Sequence, residues 1–475
     1  MSTAPLPEAV VSPARFGRLE HRGVLLGLSV TQLVVVGVAT FVAVTGVYSA
    51  GASGLLVAAP LWVTLLVAGT VSVAGRPVVA WLPLLAQWRV RRATGSQTSV
   101  TSARARSIGD GLVLPGIAGR LAIVGCDALG GALIADRRAG TVTAVLRVHG
   151  SGFVLDEVGA QEHKVAAWGR VLGGLCQQPS IVRVQLLMRI VPGGLSPARA
   201  WWREHCTRTT GVSAALASML DDGFVVPHVR ETLLAVAVRS PQGHRALSAD
   251  GTATVAKQLQ AVATSLSGAA LSVQGWLDRA ALARTMRSAY DPDAAAPADE
   301  TAAALVGPMG IDEHWDHVRL DTSVHATYWV SEWPRSDVHP AFLQPMLLGE
   351  TTARTATVIA EPLSITKALR EIRRAKVEHI ADAAQRARIG QVEAEATRAE
   401  VADLDRREAE LVAGHGDLRF TGLFTVSAPD LPTLEQRCVA LETAAAQSMC
   451  EVRRLVGQQG LAHLAAAVPL ARGVL

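Results

Sequence analysis

The chain has 475 residues, 49% of them apolar, and a net charge of only +4 from 45 basic and 41 acidic side chains. That balance excludes a broadly basic nucleic-acid binder, and the length leaves room for two or three soluble domains with their own cores. Five scattered cysteines, odd in number and without a CxxC pair, fit a reducing compartment.

Two uncharged apolar runs, residues 24–47 and 54–73, open the chain. Each reaches the ~20 residues that a helix needs to cross ~30 Å of hydrocarbon. Arg15, Arg18 and Arg22 precede the first run and Arg76, Arg89, Arg91 and Arg92 follow the second, while residues 48–53 between them hold neither Lys nor Arg. The positive-inside bias therefore predicts a two-helix transmembrane hairpin, residues 23–74, in the inner (cytoplasmic) membrane. The protein is then multi-pass with both termini cytoplasmic, residues 1–22 forming a cytoplasmic N-terminal tail. A cleaved secretory signal is a weaker reading because the first run is too long for its apolar core. A buried helical pair in a soluble core is opposed by the arginines massed on one side. Pro60 predicts a kink that neighbouring helices can satisfy.

Residues 75–110 read as an interfacial helix and linker. Trp81 and Trp88 with Arg89, Arg91 and Arg92 suit the headgroup layer, the rings at the boundary and the guanidinium groups facing anionic lipid. A helix packed on the soluble part would have the same composition. Residues 93–110 are polar and read as linker.

From residue 111 the pattern becomes α+β. Strands at 131–135 and 141–149 flank a polar turn as a β-hairpin. A helix at 160–176, a strand at 181–190, helices at 197–206 and 212–220, a strand at 231–238, a helix at 253–266, a strand at 270–276 and a helix at 277–290 complete a cytoplasmic α+β domain, 111–290. Long helices returning to strands predict helices laid on one face of a largely antiparallel sheet. Residues 291–300, acidic and rich in Pro and Ala, read as a second linker.

The second α+β part, 301–475, has strands at 317–320, 323–332 and 353–360, then a long helical insertion at 364–412 behind Ser364. Residues 367–388 carry seven basic and three acidic side chains, and residues 391–411 seven acidic and three basic, with Gly390 between. A continuous helix would be a rod of ~75 Å. A break at Gly390 lets the arms pair as an antiparallel hairpin, favoured because glycine costs ~1 kcal/mol in a helix interior and the arms are oppositely charged. Arg370, Arg373, Arg374, Arg386 and Arg388 on the basic arm are the candidate partner-docking residues. A strand at 418–426, a helix at 431–449 capped by Asp430, a strand at 450–456 and a helix at 461–467 close the chain. That β-α-β is half of a ferredoxin-like fold.

Catalytic signatures are missing from the sequence. There is no G-x-x-x-x-G-K-[ST] phosphate loop, and none of the four lysines follows a glycine-rich loop. There is no G-x-S-x-G elbow. His314, His317, Asp321 and His325 offer metal donors at short spacing, with the last three placed on strands, but no pattern fixes a tetrahedral set. His205-Cys206 is a neighbouring pair without an oriented base. No catalytic, cofactor-binding or metal residue is assigned, no cofactor is expected, and the expectation is a non-enzyme.

The order of these segments, with Trp329-Val330-Ser331-Glu332-Trp333-Pro334, the run from Ala356 to Leu363, the run from Asp382 to Gln391 and the tail from Arg453 to Leu470, resembles a family of actinobacterial conjugation-locus proteins. In that family a PrgI-like two-helix membrane subunit is joined to a domain resembling the N-terminal, non-ATPase part of VirB/TraC-type transfer ATPases. The resemblance implies an inner-membrane structural and docking component of a conjugation or type IV secretion-like machine. Its implied partners are a separate hexameric secretion ATPase, other inner-membrane secretion subunits and further copies of itself, beside the anionic lipid headgroups expected from Trp81 to Arg92 and with no direct nucleic acid expected from the charge balance. It carries over no catalytic residue, and Trp329, Trp333 and Pro334 read as framework. A type VII secretion membrane component is the alternative in the same class; a membrane-bound metal-dependent enzyme around His314, His317 and His325 is the alternative in another.

Overall fold

The computed structural model describes residues 13–16, 30–73, 76–100, 111–112, 114, 116–117, 121–192, 196–206, 210–222, 228–240, 249–269, 271–292, 306–348, 353–389 and 395–473. Arg18, Arg22, residues 24–29 of the first apolar run, 101–110 of the first linker, 293–300 of the second, and Gly390 lie outside the described residues. Two compact units result: residues 18–99, and residues 1–17 with 100–475.

In the smaller unit α1 spans Val30–Thr70 and α2 spans Val78–Ala93. Among the described residues α1 is the one helix long and apolar enough to cross a membrane by length and composition. Its helical dihedrals fail at Ala50 (φ −148°, ψ 22°) and Gly51 (φ 60°, ψ −139°), the latter in a region that glycine enters without steric cost. On either side of this break Gly46 and Gly54 pack so closely that a Cβ on Gly46 would lie 3.0 Å from the Gly54 carbonyl oxygen. Gln32 Nε2 donates to the Gly69 carbonyl at 2.9 Å, tying the start of α1 to its end. Pro60 is accommodated within α1.

The larger unit is α+β and is built on one continuous sheet. Its elements run β1 (Leu121–Cys126), β2 (Gly131–Asp136), β3 (Thr141–Gly150), α3 (Val158–Cys176), β4 (Ile181–Pro192), α4 (Ser196–His205), α5 (Gly211–Asp222), β5 (His228–Arg239), α6 (Ala249–Ser267), β6 (Leu271–Trp276) and α7 (Arg279–Tyr290). They continue as β7 (Gly310–Glu313), β8 (Val318–Leu320), β9 (Ser323–Glu332), α8 (Gln344–Leu348), β10 (Arg354–Leu363), α9 (Ile365–Ile389), α10 (Glu395–Val412), β11 (Asp417–Ala428), α11 (Leu431–Gln447), β12 (Glu451–Arg454) and α12 (Gln459–Ala467).

The same plan occurs twice. Within β3-α3-β4-β5-α6-β6 the sheet order is β6-β3-β5-β4, every pair antiparallel, which is the split β-α-β arrangement of a ferredoxin-like unit. Within β9-α8-β10-β11-α11-β12 the order is β12-β9-β11-β10, again antiparallel. Each unit is preceded by a β-hairpin strand on the outer edge of its first strand, β2 or β8, and followed by one more helix, α7 or α12. Each also carries two helices between its second and third strands, α4-α5 or α9-α10. The halves join edge to edge through their equivalent strands β4 and β10, from Arg354 opposite Ile190 to Ala360 opposite Val184.

Period-two alternation assigns the layers. Leu234, Val236 and Val238 of β5 face α3 and α6, packing on Val171, Leu175, Leu259 and Leu266. Leu233, Ala235 and Ala237 face the opposite way, against Leu282 and Met286 of α7 and Leu464 of α12. Helices therefore cover both faces, correcting the expectation of one; the uninterrupted run Leu233 to Val238 is the signature of a strand buried on both sides. In the second half α11 packs Leu434, Cys438 and Leu441 on Val324, Tyr328, Phe424 and Val426. Its α12 packs Ala462 and Ala465 on Ile359 and Leu423 of the other face.

Buried amides and hydroxyls lock α12 across the join. Gln185 of β4 donates to the carbonyls of Ala465 (3.0 Å) and Val468 (3.2 Å) and accepts from the Ala471 amide (2.7 Å), while Thr357 of β10 donates to Ala466 O (2.6 Å). Asp291, expected to begin a linker, is instead a buried anchor. It accepts from the Thr322 hydroxyl at 2.9 Å and the Ser323 hydroxyl at 3.3 Å, because α7 ends against the β8–β9 turn.

Candidate docking interface

Residues 364–412 form two helices. α9 ends at Ile389 and α10 begins at Glu395, with the predicted break point outside the described residues. Ser364 precedes α9, its carbonyl accepting from the Lys367 and Ala368 amides at 2.9 Å. The helices hold each other through an apolar base and a charged seam. Leu363, Ala368, Ile372 and Leu411 make the base. Above it the Lys376 ammonium bonds Asp405 at 2.6 Å and also Glu408, and His379 Nε2 lies 3.8 Å from Glu400. The two carboxylates keep the Lys376 ammonium charged above its ordinary range. The opposite charges of the two arms thus meet across their contact. Arg407 to Asp417 (2.6 Å) and Arg419 to Glu371 (3.4 Å) fasten the helices to β11.

The outward face of α9 is different. Arg370, Arg373 and Arg374 are exposed. Arg374 meets Glu378 one turn on at 3.0 Å, whereas Arg370 and Arg373 make no ion pair among the described residues. Val377 (64% exposed) and Ile380 (69%) follow on the same face. Three guanidinium groups beside two uncovered apolar side chains can take an acidic, partly apolar surface. Val377 and Ile380 are missing from the sequence-derived site, although their i, i+3 spacing on the basic arm is a readable signal. Arg386 and Arg388 lie on α9, their side chains outside the described set.

In the smaller unit α2 places Trp81, Leu85, Trp88 and Arg92 at helical spacing along one stripe. Leu82, Leu85 and Val90 are exposed, and the Arg91 guanidinium lies 5.7 Å from the centre of the Trp88 ring. Arg89 and Arg92 are exposed and Trp81, Trp88 and Arg91 half-buried. The interfacial set and the docking set belong to different units.

The histidines considered for metal do not converge. His314 and His317 stack at 4.4 Å, but each turns a nitrogen to a separate carboxylate, Asp312 at 3.0 Å and Asp316 at 2.8 Å. His317 precedes β8, and Asp321 stands in a turn at φ 52° instead of on a strand. It is held there because its Oδ1 accepts from the Met309 and Gly310 amides at 2.6 and 2.7 Å. His325 is buried, accepting from the Ser427 hydroxyl (2.8 Å) and donating to Tyr290 O (3.0 Å), and burial pushes its pKa down to about 4. Among the described residues no group of three or more His, Cys, Asp or Glu is placed to hold a metal. His205 stacks on Trp201 at 4.6 Å and bonds Trp201 O, one turn back on α4, and so is not aimed at Cys206.

No family model matches the chain, and no curated protein matches it.

Proposed function

We propose that the chain is an inner-membrane structural and docking component of a conjugation or type IV secretion-like machine, and that it recruits a separate ATPase through the outward face of α9. The observation that carries this reading is the division of labour in residues 365–412. The inner faces are closed by Ile372, Leu411 and the Lys376 carboxylate pair, while Arg370, Arg373, Arg374, Val377 and Ile380 are left to solvent. An insertion that completes its own packing and still exposes cations beside apolar side chains is suited to a partner.

The anchor in this reading is a two-helix transmembrane hairpin turning at Ala50 and Gly51. The Gln32–Gly69 hydrogen bond and the apposed Gly46 and Gly54 support it. Trp81, Trp88, Arg89, Arg91 and Arg92 rest on anionic headgroups, and both termini are cytoplasmic. The chain contributes no nucleotide chemistry of its own, which agrees with the lack of a phosphate loop in its sequence.

The test is co-purification from membranes with the ATPase encoded beside it. Arg370→Glu/Arg373→Glu/Arg374→Glu should abolish capture while membrane extraction and melting temperature stay unchanged. Undiminished capture by the triple variant removes the docking role, and recovery of the chain from the soluble fraction without detergent removes the anchor.

A further inference from the structure

The segment just before the membrane-anchoring part carries three arginines that read only as a topology signal. One of them does something else. Ala14 and Val338 exchange backbone hydrogen bonds, Ala14 N to Val338 O at 2.8 Å and Val338 N to Ala14 O at 3.1 Å, so a single antiparallel bridge joins residue 14 to the loop after β9. Arg15 Nη2 then meets Asp337 Oδ2 at 2.7 Å. Phe16 stacks on Trp333 with ring centres 5.1 Å apart and planes 15° from parallel, and it meets Phe342 edge-on at 5.2 Å and Phe420 at 6.2 Å. These are three recognition elements on three consecutive residues: main-chain pairing, a charge partner and an aromatic slot. Short extended peptides are bound on protein surfaces by this combination of backbone bonds for affinity and side-chain pockets for specificity.

The slot is shaped to stay open. Trp333 packs against Gly422 of β11, where an added Cβ would come within 2.7 Å of its six-membered ring. Gly422 has no left-handed φ to explain it, so the close approach of Trp333 is the reason for glycine there. Trp333 and Phe342 rest on the core under α11, which fixes the walls. Asp403 and Glu410 of α10 add to Asp337 in favouring a cation at position 15.

We propose that the groove formed by Trp333, Phe342, Phe420 and Asp337 is a binding site for an extended peptide carrying arginine followed by an aromatic residue, and that the chain's own Pro13–Phe16 arm is its resident ligand in cis. Trp333 is thereby a wall of a binding site in addition to framework. The site is independent of the docking role of α9.

Two measurements on the full-length chain in detergent test it. Residues 14 and 338 are a hydrogen-bonded antiparallel pair, for which Cα atoms stand ~5.5 Å apart, within reach of a disulfide. In a Cys206→Ser background, Ala14→Cys/Val338→Cys should oxidise to a disulfide inside one polypeptide, seen as a faster monomer on a non-reducing gel. Disulfide-linked dimers would overturn the assignment in cis, and no disulfide would overturn the clasp. Second, a fluorescent peptide of residues 12–16 should bind the Arg15→Ala/Phe16→Ala chain at least about tenfold more tightly than wild type, because the tethered arm competes at a high local concentration. Adding Asp337→Asn, an exposed substitution that leaves the fold intact, should weaken that binding, and adding Gly422→Ala should remove it. Equal affinity for wild type and opened chain, or no binding to the opened chain, overturns the proposal.

Discussion

The pairs α4-α5 and α9-α10 occupy the same slot in the two halves, between the second and third strands of a ferredoxin-like unit, yet their surfaces differ in charge. α4 and α5 are joined mainly by Arg199, which donates to the Leu220 and Asp221 carbonyls at 2.6 and 3.1 Å, and they leave Trp201 (59% exposed), Val212 (81%), Leu216 and Met219 uncovered. α9 and α10 close on each other through Ala368, Ile372, Leu411 and the Lys376 carboxylate pair, and α9 presents arginines beside the exposed Val377 and Ile380. The slot restrains an insertion only at its two ends, where it leaves and rejoins adjacent strands. The scaffold therefore tolerates unrelated surfaces there, and the functional difference between the halves is expected in these four helices while the strands stay alike.

The strands can be separated from the insertions most forcibly at Glu231. Burial alone would raise its carboxyl, but Arg189 and Arg147 on either side hold it below its ordinary value. Arg189, itself buried, bonds Glu231 at 2.7 Å and gives its other donors to Thr285 O and Ser288 Oγ at 2.9 Å. The equivalent strand pair of the second half, β9–β11, carries uncharged contacts instead, the Thr327–Thr425 hydroxyl pair at 3.0 Å and His325 with the Ser427 hydroxyl at 2.8 Å. Glu231→Ala strands the Arg189 charge and should cost about 3–5 kcal/mol in chemical denaturation. A loss below about 1 kcal/mol would mean that the ion triad does not hold the first half together.

A slightly smaller effect comes from pH and belongs to the second half. His325 and His463 are buried with ring centres 4.5 Å apart, and burial lowers both pKa values, that of His325 to about 4. Asp291 and Asp321 favour the charged form of His325 without overcoming burial. Both imidazoles are neutral when folded but charge in the unfolded chain below its ordinary pKa of ~6.5, so the unfolded state binds more protons. Stability is complete above that value and falls as the pH drops towards about 4, by about 3 kcal/mol for His325 alone. Unfolding midpoints measured from pH 7 to 4.5 should fall steadily; a flat profile refutes the neutral pair.

Much of this was legible, and what was not has a physical cause. The charge split about Gly390 anticipates two paired arms, and Asp430 caps α11 by accepting from the Thr433 amide at 2.9 Å. The closing β-α-β points to a ferredoxin-like unit. The repetition of that unit is hidden because topology, not sequence, repeats: β5 buries an unbroken apolar run from Leu233 to Val238, whereas the buried stretch of its equivalent β11, Gly422 to Ala428, includes Thr425 and Ser427. The groove for Phe16 is invisible in sequence because its parts, Phe16, Trp333, Phe342, Phe420 and Gly422, meet only once β9 and β11 pair. Asp291 misleads because an Asp-Pro-Asp start has linker composition, and only its contact with the β8–β9 turn buries it.

Within the second half, Ile372→Ala separates the insertion from its scaffold. Ile372 is buried at the base of α9-α10 with Leu363, Ala368 and Leu411, so its truncation should cost about 2 kcal/mol or more. The loss should appear as faster amide exchange confined to α9 and α10. Exchange that accelerates equally in β4 and β10 would mean that the insertion and the sheet open as one unit.

The smallest stability effect is the most discriminating. Arg370→Glu/Arg373→Glu/Arg374→Glu on α9 and Val212→Ser/Leu216→Ser/Met219→Ser on α5 alter exposed side chains, so each substitution should shift stability by no more than about 0.5 kcal/mol. If the two insertions serve different surfaces, only the α9 variant should lose the ATPase, because in the proposed docking its guanidinium groups face an acidic surface that their reversal would repel. The α5 variant removes apolar area alone, and its effect should not change with salt. Loss of ATPase capture in both variants would mean that one partner spans the two insertions, so that the twofold plan of the sheet itself sets the docking geometry.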